Sequence, residues 1–230
     1  MHFDGLIFDL DGTLWDCAQA SAEGINRAYE RHGIETRITR EFVASISGKP
    51  AREFDEIILK DVEADTRPQL IESLDELEIK AVSEYATRAL YPDVKSGLKK
   101  LQSHFKLFLV SNCGVRYLEA FRCHSGIGDL FIDYECFGRT EKLKDENIRA
   151  VITRQGLTSA CYIGDTAGDE DAARKAGVPF FHARYGFGEP SGNPPAFETF
   201  QELVDYFVER AATVSSQPRL ASSAHTTQRR

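Results

Sequence analysis

Two aspartates stand two residues apart in Phe8-Asp9-Leu10-Asp11-Gly12-Thr13-Leu14, directly after an apolar run. In extended backbone, residues i and i+2 project to the same side. Asp9 and Asp11 are therefore expected to leave a sheet edge together, while Gly12 lets the chain turn and a ligand approach the backbone. Neighbouring carboxylates repel, and a divalent cation or a shared proton relieves them. A second acidic pair occurs in Ile163-Gly164-Asp165-Thr166-Ala167-Gly168-Asp169. Alone, Asp165 and Asp169 could equally cap a helix; beside the first pair they offer oxygens to the same cation. Val110-Ser111-Asn112 closes another apolar run ahead of Gly114. A hydroxyl at a strand end with helix N–H groups behind it can hold a phosphate oxygen, although Ser and Asn also serve as ordinary helix caps. Thr140-Glu141-Lys142-Leu143-Lys144-Asp145 supplies a cation for phosphate, from Lys142 or Lys144, just before a helical pattern.

Apolar runs at Leu6–Leu10, Lys106–Val110, Ala160–Ile163 and Val178–His182 read as buried strands, with a weaker one over Phe131–Cys136. Helical patterns over Val94–His104, Val115–His124, Asp145–Gln155 and Asp169–Ala176 lie between them. This alternation predicts βαβ units and a parallel sheet covered on both faces. Right-handed crossovers put all carboxyl ends on one edge, where ligands bind near the reversal of strand order. The stretch from Asp16 to Tyr91 is helical and amphipathic, and far exceeds the dozen or so residues of a crossover. The expectation is an α/β fold with a doubly wound parallel-sheet core over residues 1–15 and 91–212, and an α-helical cap domain inserted over 16–90. The last residues, 213–230, are rich in Ser, Thr, Ala, Gln and Arg and are expected to form a disordered tail.

The net charge of −8 argues against a nucleic-acid partner, which needs clustered cations to displace counterions. It leaves a small phosphorylated molecule open, since a metal ion and a few local cations can hold one. No run approaches the roughly 18–20 apolar residues that span a bilayer, and Asp4, Asp9 and Asp11 interrupt any N-terminal signal sequence. Five cysteines, with no CxxC pair, read as free thiols of a reducing compartment. The expected location is cytoplasmic.

Taken together, these motifs resemble the haloacid dehalogenase superfamily, in order and each after the appropriate strand, from about residue 4 to residue 190. The resemblance implies a Rossmann-like core and a magnesium-dependent phosphatase acting through an aspartyl-phosphate. By it Asp9 is the nucleophile and Asp11 the general acid/base. Ser111, with Asn112 beside it, and one of Lys142 or Lys144 bind phosphate. Asp165 holds Mg2+ with Asp9 and the backbone of Asp11, and Asp169 supports that site. Lys144 fits a Lys-x-Glu-Asn-Ile form found in some members, whereas Lys142 fits the spacing of members with Lys-Pro-x-Pro-Asp. The insert resembles the helical cap of phosphoglycolate-phosphatase-like members, as does the stretch through Tyr185-Gly186-Phe187-Gly188. The implied substrate is a small phosphorylated metabolite, phosphoglycolate-like or a sugar phosphate. Lys49 or Arg52, at the break Ser45–Pro50 between two cap helices, could touch a substrate anion. A phosphomutase on the same core, a phosphonate hydrolase using Lys49, and a non-catalytic binding module are the rival readings. Asp11 argues against a 2-haloacid dehalogenase.

Overall fold

The computed structural model describes residues 3–215. Six strands form one sheet, β1 (Gly5–Phe8), β2 (Lys106–Ser111), β3 (Asp133–Cys136), β4 (Ala160–Gly164), β5 (Phe180–Ala183) and β6 (Ala196–Phe197), in the order β3-β2-β1-β4-β5-β6. Every pairing is parallel, with Leu6 opposite Leu107 on one side and Cys161 on the other. Strand order reverses between β1 and β4, so the switch point lies at the carboxyl end of β1.

The two-residue period of β-strands divides the core. Leu6, Phe8, Leu107 and Leu109 pack on one face with α5 (Val94–Gln102), α6 (Val115–His124) and α10 (Phe200–Ser215). Ile7, Phe108, Val110 and Tyr162 pack on the other with α8 (Lys144–Gln155) and α9 (Ala167–Ala176). Strands buried on both sides must be apolar at successive positions, and β1 reads Gly-Leu-Ile-Phe, all buried. A one-turn helix, α7 (Phe137–Thr140), follows β3.

Four helices, α1 (Ala18–Arg31), α2 (Arg40–Ile46), α3 (Ala51–Ile58) and α4 (Arg67–Ala89), surround a separate apolar cluster that includes Ile25, Val43, Ile58 and Leu70. The last turns of α4, through Val82 and Ala86, instead join the core cluster. The two connections to this helical unit run side by side. Asp16 N donates to Ala89 O at 2.8 Å and Tyr91 N to Leu14 O at 3.1 Å.

Several boundaries differ from the sequence expectation. β1 ends at Phe8, leaving Asp9 just beyond the strand. α8 begins at Lys144 and α9 at Ala167. β6 and α10 were not anticipated. α10 carries helical backbone to Ser215, so residues 213–215 of the expected tail are helical; the remainder of that tail lies outside the described residues. Among the described residues, no helix is long and apolar enough to cross a membrane.

Candidate active site

The carboxyl ends of β1, β2 and β4 bring the predicted residues together. Asp9 follows β1, Ser111 ends β2, and Asp165 follows β4. Lys144 opens α8, and its side chain is buried between two carboxylates. Its Nζ donates to Asp9 Oδ1 at 2.7 Å and to Asp169 Oδ1 at 2.6 Å, and lies 5.8 Å from the centroid of the Tyr162 ring. Of the two lysines, Lys144 is the one whose side chain reaches these carboxylates. Lys142 is exposed, and only its backbone is engaged, with Thr140 and Asn147.

Asp169 is fully committed within the protein. Its second oxygen accepts from Thr166 N at 3.0 Å and Thr166 Oγ1 at 2.7 Å, and Thr166 Oγ1 in turn accepts from Asp169 N. This reciprocal capping box fixes the start of α9. Burial raises the Asp169 pKa, but Lys144 and the Thr166 bonds outweigh it and hold the carboxyl below its ordinary value.

Asp165 has the opposite balance. Its Oδ2 accepts from Phe187 N at 2.7 Å, while its Oδ1 is buried without a hydrogen-bond partner among the described residues. Burial first, then repulsion from Asp169 and Asp9, pushes its pKa well above the ordinary carboxylate value. Asp9, 2% exposed, is raised to about 7 by burial, against the opposing pull of Lys144. Oxygens of Asp9, Asp165 and Asp169 all lie within 4.8 Å of one another. Three clustered carboxylates beside one lysine leave two negative charges unanswered, and one of them has an orphaned oxygen. A hard divalent cation with oxygen ligands fits this donor set.

Asp11 is held differently. Its Oδ1 accepts from Trp15 Nε1 at 2.9 Å and from Tyr117 OH at 2.7 Å. Burial raises its pKa to about 6, with the Tyr117 and Trp15 bonds opposing. A carboxyl poised there, with Oδ2 uncommitted, can both give and take a proton near neutral pH. The glycines of the site are required by space. Gly12 has φ +79°, and a Cβ there would lie 2.0 Å from Asp165 Oδ2. A Cβ on Gly186 would meet Gly12 O at 2.3 Å, so the loop through Phe187 closes directly over the aspartates.

Ser111, 3% exposed, accepts from Cys113 N at 3.3 Å. Asn112 ties the helical unit to the core: its Nδ2 donates to Gly48 O at 2.7 Å, and its backbone O accepts from Ala51 N at 2.9 Å. A cleft of about 300 Å³ opens on Asp9 and Asp11, and Ser111, Asn112, Lys49 and Glu78 are among its lining residues. Lys49 is ion-paired to Glu53. Arg52 is 81% exposed, pairs with Glu56 at 3.3 Å, and is not among the residues that line the cleft. Trp15, Tyr117 and Tyr162 join the site without having stood out in the sequence. Only Trp15, four residues after Asp11, was within reach of a local pattern.

The family model for haloacid dehalogenase-like hydrolases matches residues 6–183. The chain belongs to this family. Its sequence is similar to the phosphoglycolate phosphatase of Psychrobacter arcticus, at 27% identity over 220 residues, covering 89% of this chain and 95% of that protein. It is 29% identical over 216 residues to the phosphoglycolate phosphatase of Vibrio vulnificus strain YJ016, covering 87% and 94%. Among solved structures, it superposes on a predicted phosphoglycolate phosphatase from Haemophilus somnus 129pt with a TM-score of 0.77 at 20% identity, covering 90% of this chain and 98% of that one. This haloacid dehalogenase-like hydrolase is a phosphatase, and its six-stranded parallel sheet is the Rossmann-like core of that family.

Proposed function

We propose that this family member is a magnesium-dependent phosphatase that hydrolyses the monoester of a small phosphorylated metabolite through an aspartyl-phosphate on Asp9. The observation that carries the reading is the buried trio Asp9, Asp165 and Asp169, with one lysine among them and Asp165 Oδ1 lacking any partner. Asp9 and Asp165 would hold the magnesium with the backbone of Asp11. When bound, the ion supplies positive charge for the phosphate oxygens.

The remaining work falls to the chain's own residues. Lys144 and Ser111 hold the phosphoryl group, and preorganised donors of this kind favour the charge that develops on it. Asp9 Oδ2, which accepts no hydrogen bond among the described residues, attacks phosphorus in line. An Oδ–P bond forms as the ester P–O bond breaks, and the leaving oxygen takes a proton from Asp11. Asp11 then removes a proton from water, which attacks the aspartyl-phosphate, releases phosphate and restores Asp9. Trp15 and Tyr117 fix Asp11 by one oxygen, leaving the other to exchange protons. Asp169 is a positioning residue that holds Lys144 and caps α9.

The division into a core over 1–15 and 91–212 and a cap over 16–90 is part of the same proposal, with the Gly48–Asn112 contact as the place where cap meets site. The cleft volume suits a small metabolite, and the phosphoglycolate phosphatase relatives support substrates of that size. The test is hydrolysis of an aryl phosphate with added magnesium, after chelation, and after magnesium is restored. Turnover unaffected by chelation would overturn the metal assignment, and no phosphate release under any condition would overturn the reading itself.

A further inference from the structure

Beyond Asp9 and Asp11, the charged residues lining the cleft are Lys49, Asp55, Asp75, Glu78 and Arg116. Both cations are already answered: Lys49 pairs with Glu53, and Arg116 with Asp75. Asp55 has no ion-pair partner among the described residues. Glu78 is half-buried and lines the cleft, and its only hydrogen bond among the described residues is from the Ser21 hydroxyl to Oε1. Burial, with repulsion from Asp55, Asp11 and Asp75, pushes the Glu78 carboxyl up to about 7 against the Ser21 bond. An independent feature points to a ligand of the same chemistry. Asn112 Oδ1 is buried on the cleft wall without a donor, and its amide orientation is fixed because Nδ2 must face the Gly48 carbonyl. Asp55, Glu78 and Asn112 Oδ1 thus offer acceptors to the cleft, and two of the three are carboxylates. A buried acceptor such as Asn112 Oδ1 is normally paired, and carboxylates lining a cleft without a free cation favour a cationic ligand.

We propose that the leaving group of the substrate carries a protonated amine, received by Glu78 in the field of Asp55 and Asp75, so that the substrates are phosphate monoesters of amino alcohols. The inference rests on the phosphatase reading. The phosphate end goes to Lys144 and the metal site, and the ammonium end supplies the donors that the cap side lacks. A carboxylate in the leaving group, as in phosphoglycolate, would stand against carboxylates with both neighbouring cations already taken. The chain is therefore set apart in substrate preference from the phosphoglycolate phosphatases it resembles.

The experiment measures kcat/KM with magnesium for three ester series matched in length, from two to five carbons, ending in an amine, a hydroxyl or a carboxylate. An aryl phosphate is run alongside. A charge-assisted hydrogen bond made in place of water predicts a preference of about tenfold or more for the amine over the hydroxyl at the best length, with the carboxylate last. In Glu78→Gln that amine-to-hydroxyl ratio falls by about tenfold, and the ratio reads out the contact independently of overall activity. Aryl phosphate hydrolysis with hydroxyl or carboxylate esters turned over as well as amines overturns this inference alone. Failure on every ester, the aryl phosphate included, overturns the phosphatase reading and this inference with it. If Glu78→Gln does not fold, the wild-type ratios still decide the matter.

Discussion

Replacing Lys144 by Met removes the one cation, among the described residues, that pairs with a cluster of buried carboxylates. Lys144 is 4% exposed, Asp9 2% and Asp169 0%, and the two Nζ contacts are 2.7 and 2.6 Å. Water cannot take over either contact. Removing one partner of a buried pair costs about 3–5 kcal/mol, because the remaining charge is left uncompensated. Metal-free Lys144→Met is therefore expected to lose about that much stability at pH 8. The loss depends on pH. The Asp9 carboxyl already sits at about 7, and without Lys144 it rises further. Native protein then holds a proton that the unfolded chain has released, so stability of the variant falls as pH rises from the ordinary Asp value through and beyond 7. The deficit relative to wild type should shrink at pH 5. Magnesium should recover part of it at pH 8 by taking the place of the lost charge. With a donor to the phosphoryl group gone, kcat/KM on an aryl phosphate should fall by at least about 100-fold. Lys142→Met is the control: its exposed side chain makes no hydrogen bond or ion pair among the described residues, so stability should stay within about 0.5 kcal/mol and activity within about twofold. Urea unfolding at the two pH values, with and without magnesium, and steady-state kinetics give all of these quantities. An inactive Lys142→Met beside an active, stable Lys144→Met would refute the placement of the lysine and the electrostatic argument built on it.

Three further outcomes follow from the geometry. Asp165→Asn should raise the magnesium concentration for half-maximal activity by about tenfold or more. Because it deletes a buried, unanswered charge, it should also raise the melting temperature of the metal-free protein; a fall would contradict the electrostatics of the trio. Asn112→Ala removes the bond to Gly48 O, worth about 1 kcal/mol net, and should lower kcat/KM by about fivefold while leaving aryl phosphate hydrolysis metal-dependent. An unchanged kcat/KM would detach cap docking from turnover. Glu78, whose ordinary value is 4.5, holds its proton to about 7 in the folded state, so it destabilises the protein as pH rises through that window. Glu78→Gln should then gain about 2 kcal/mol at pH 8, or roughly 4–8 °C in melting temperature, and less at pH 5. Equal effects at both pH values would show that Glu78 is not perturbed.

The carboxylates of the candidate site were legible because their pattern is local. Asp9 and Asp11 sit at the end of an apolar strand, and Asp165 and Asp169 share one short turn into a helix, so spacing alone announced both pairs. Lys142 and Lys144 could not be separated that way. Which lysine enters the site depends on α8 starting at Lys144, and on burial that follows from packing against Tyr162. Tyr117 reaches Asp11 from α6, far along the chain, and only the assembled sheet brings them together. The same holds for Gly186 against Gly12, and for Glu78, which faces the cleft from α4. β6 has just two residues, too few for any period to show. Arg52 looked like a cation at a specificity loop, but its turn of helix pairs it with Glu56 outside the cleft.

In the proposed reaction Asp9 takes the phosphoryl group. Acid quenching of Asp11→Asn during turnover of an aryl phosphate, followed by digestion and mass analysis, tests it directly, because loss of the base slows the second step more than the first. Phosphate is expected on the peptide that carries Asp9 and is expected to be absent from Asp9→Asn treated in the same way. A quenched protein free of phosphate at every time point while product is still released would contradict it.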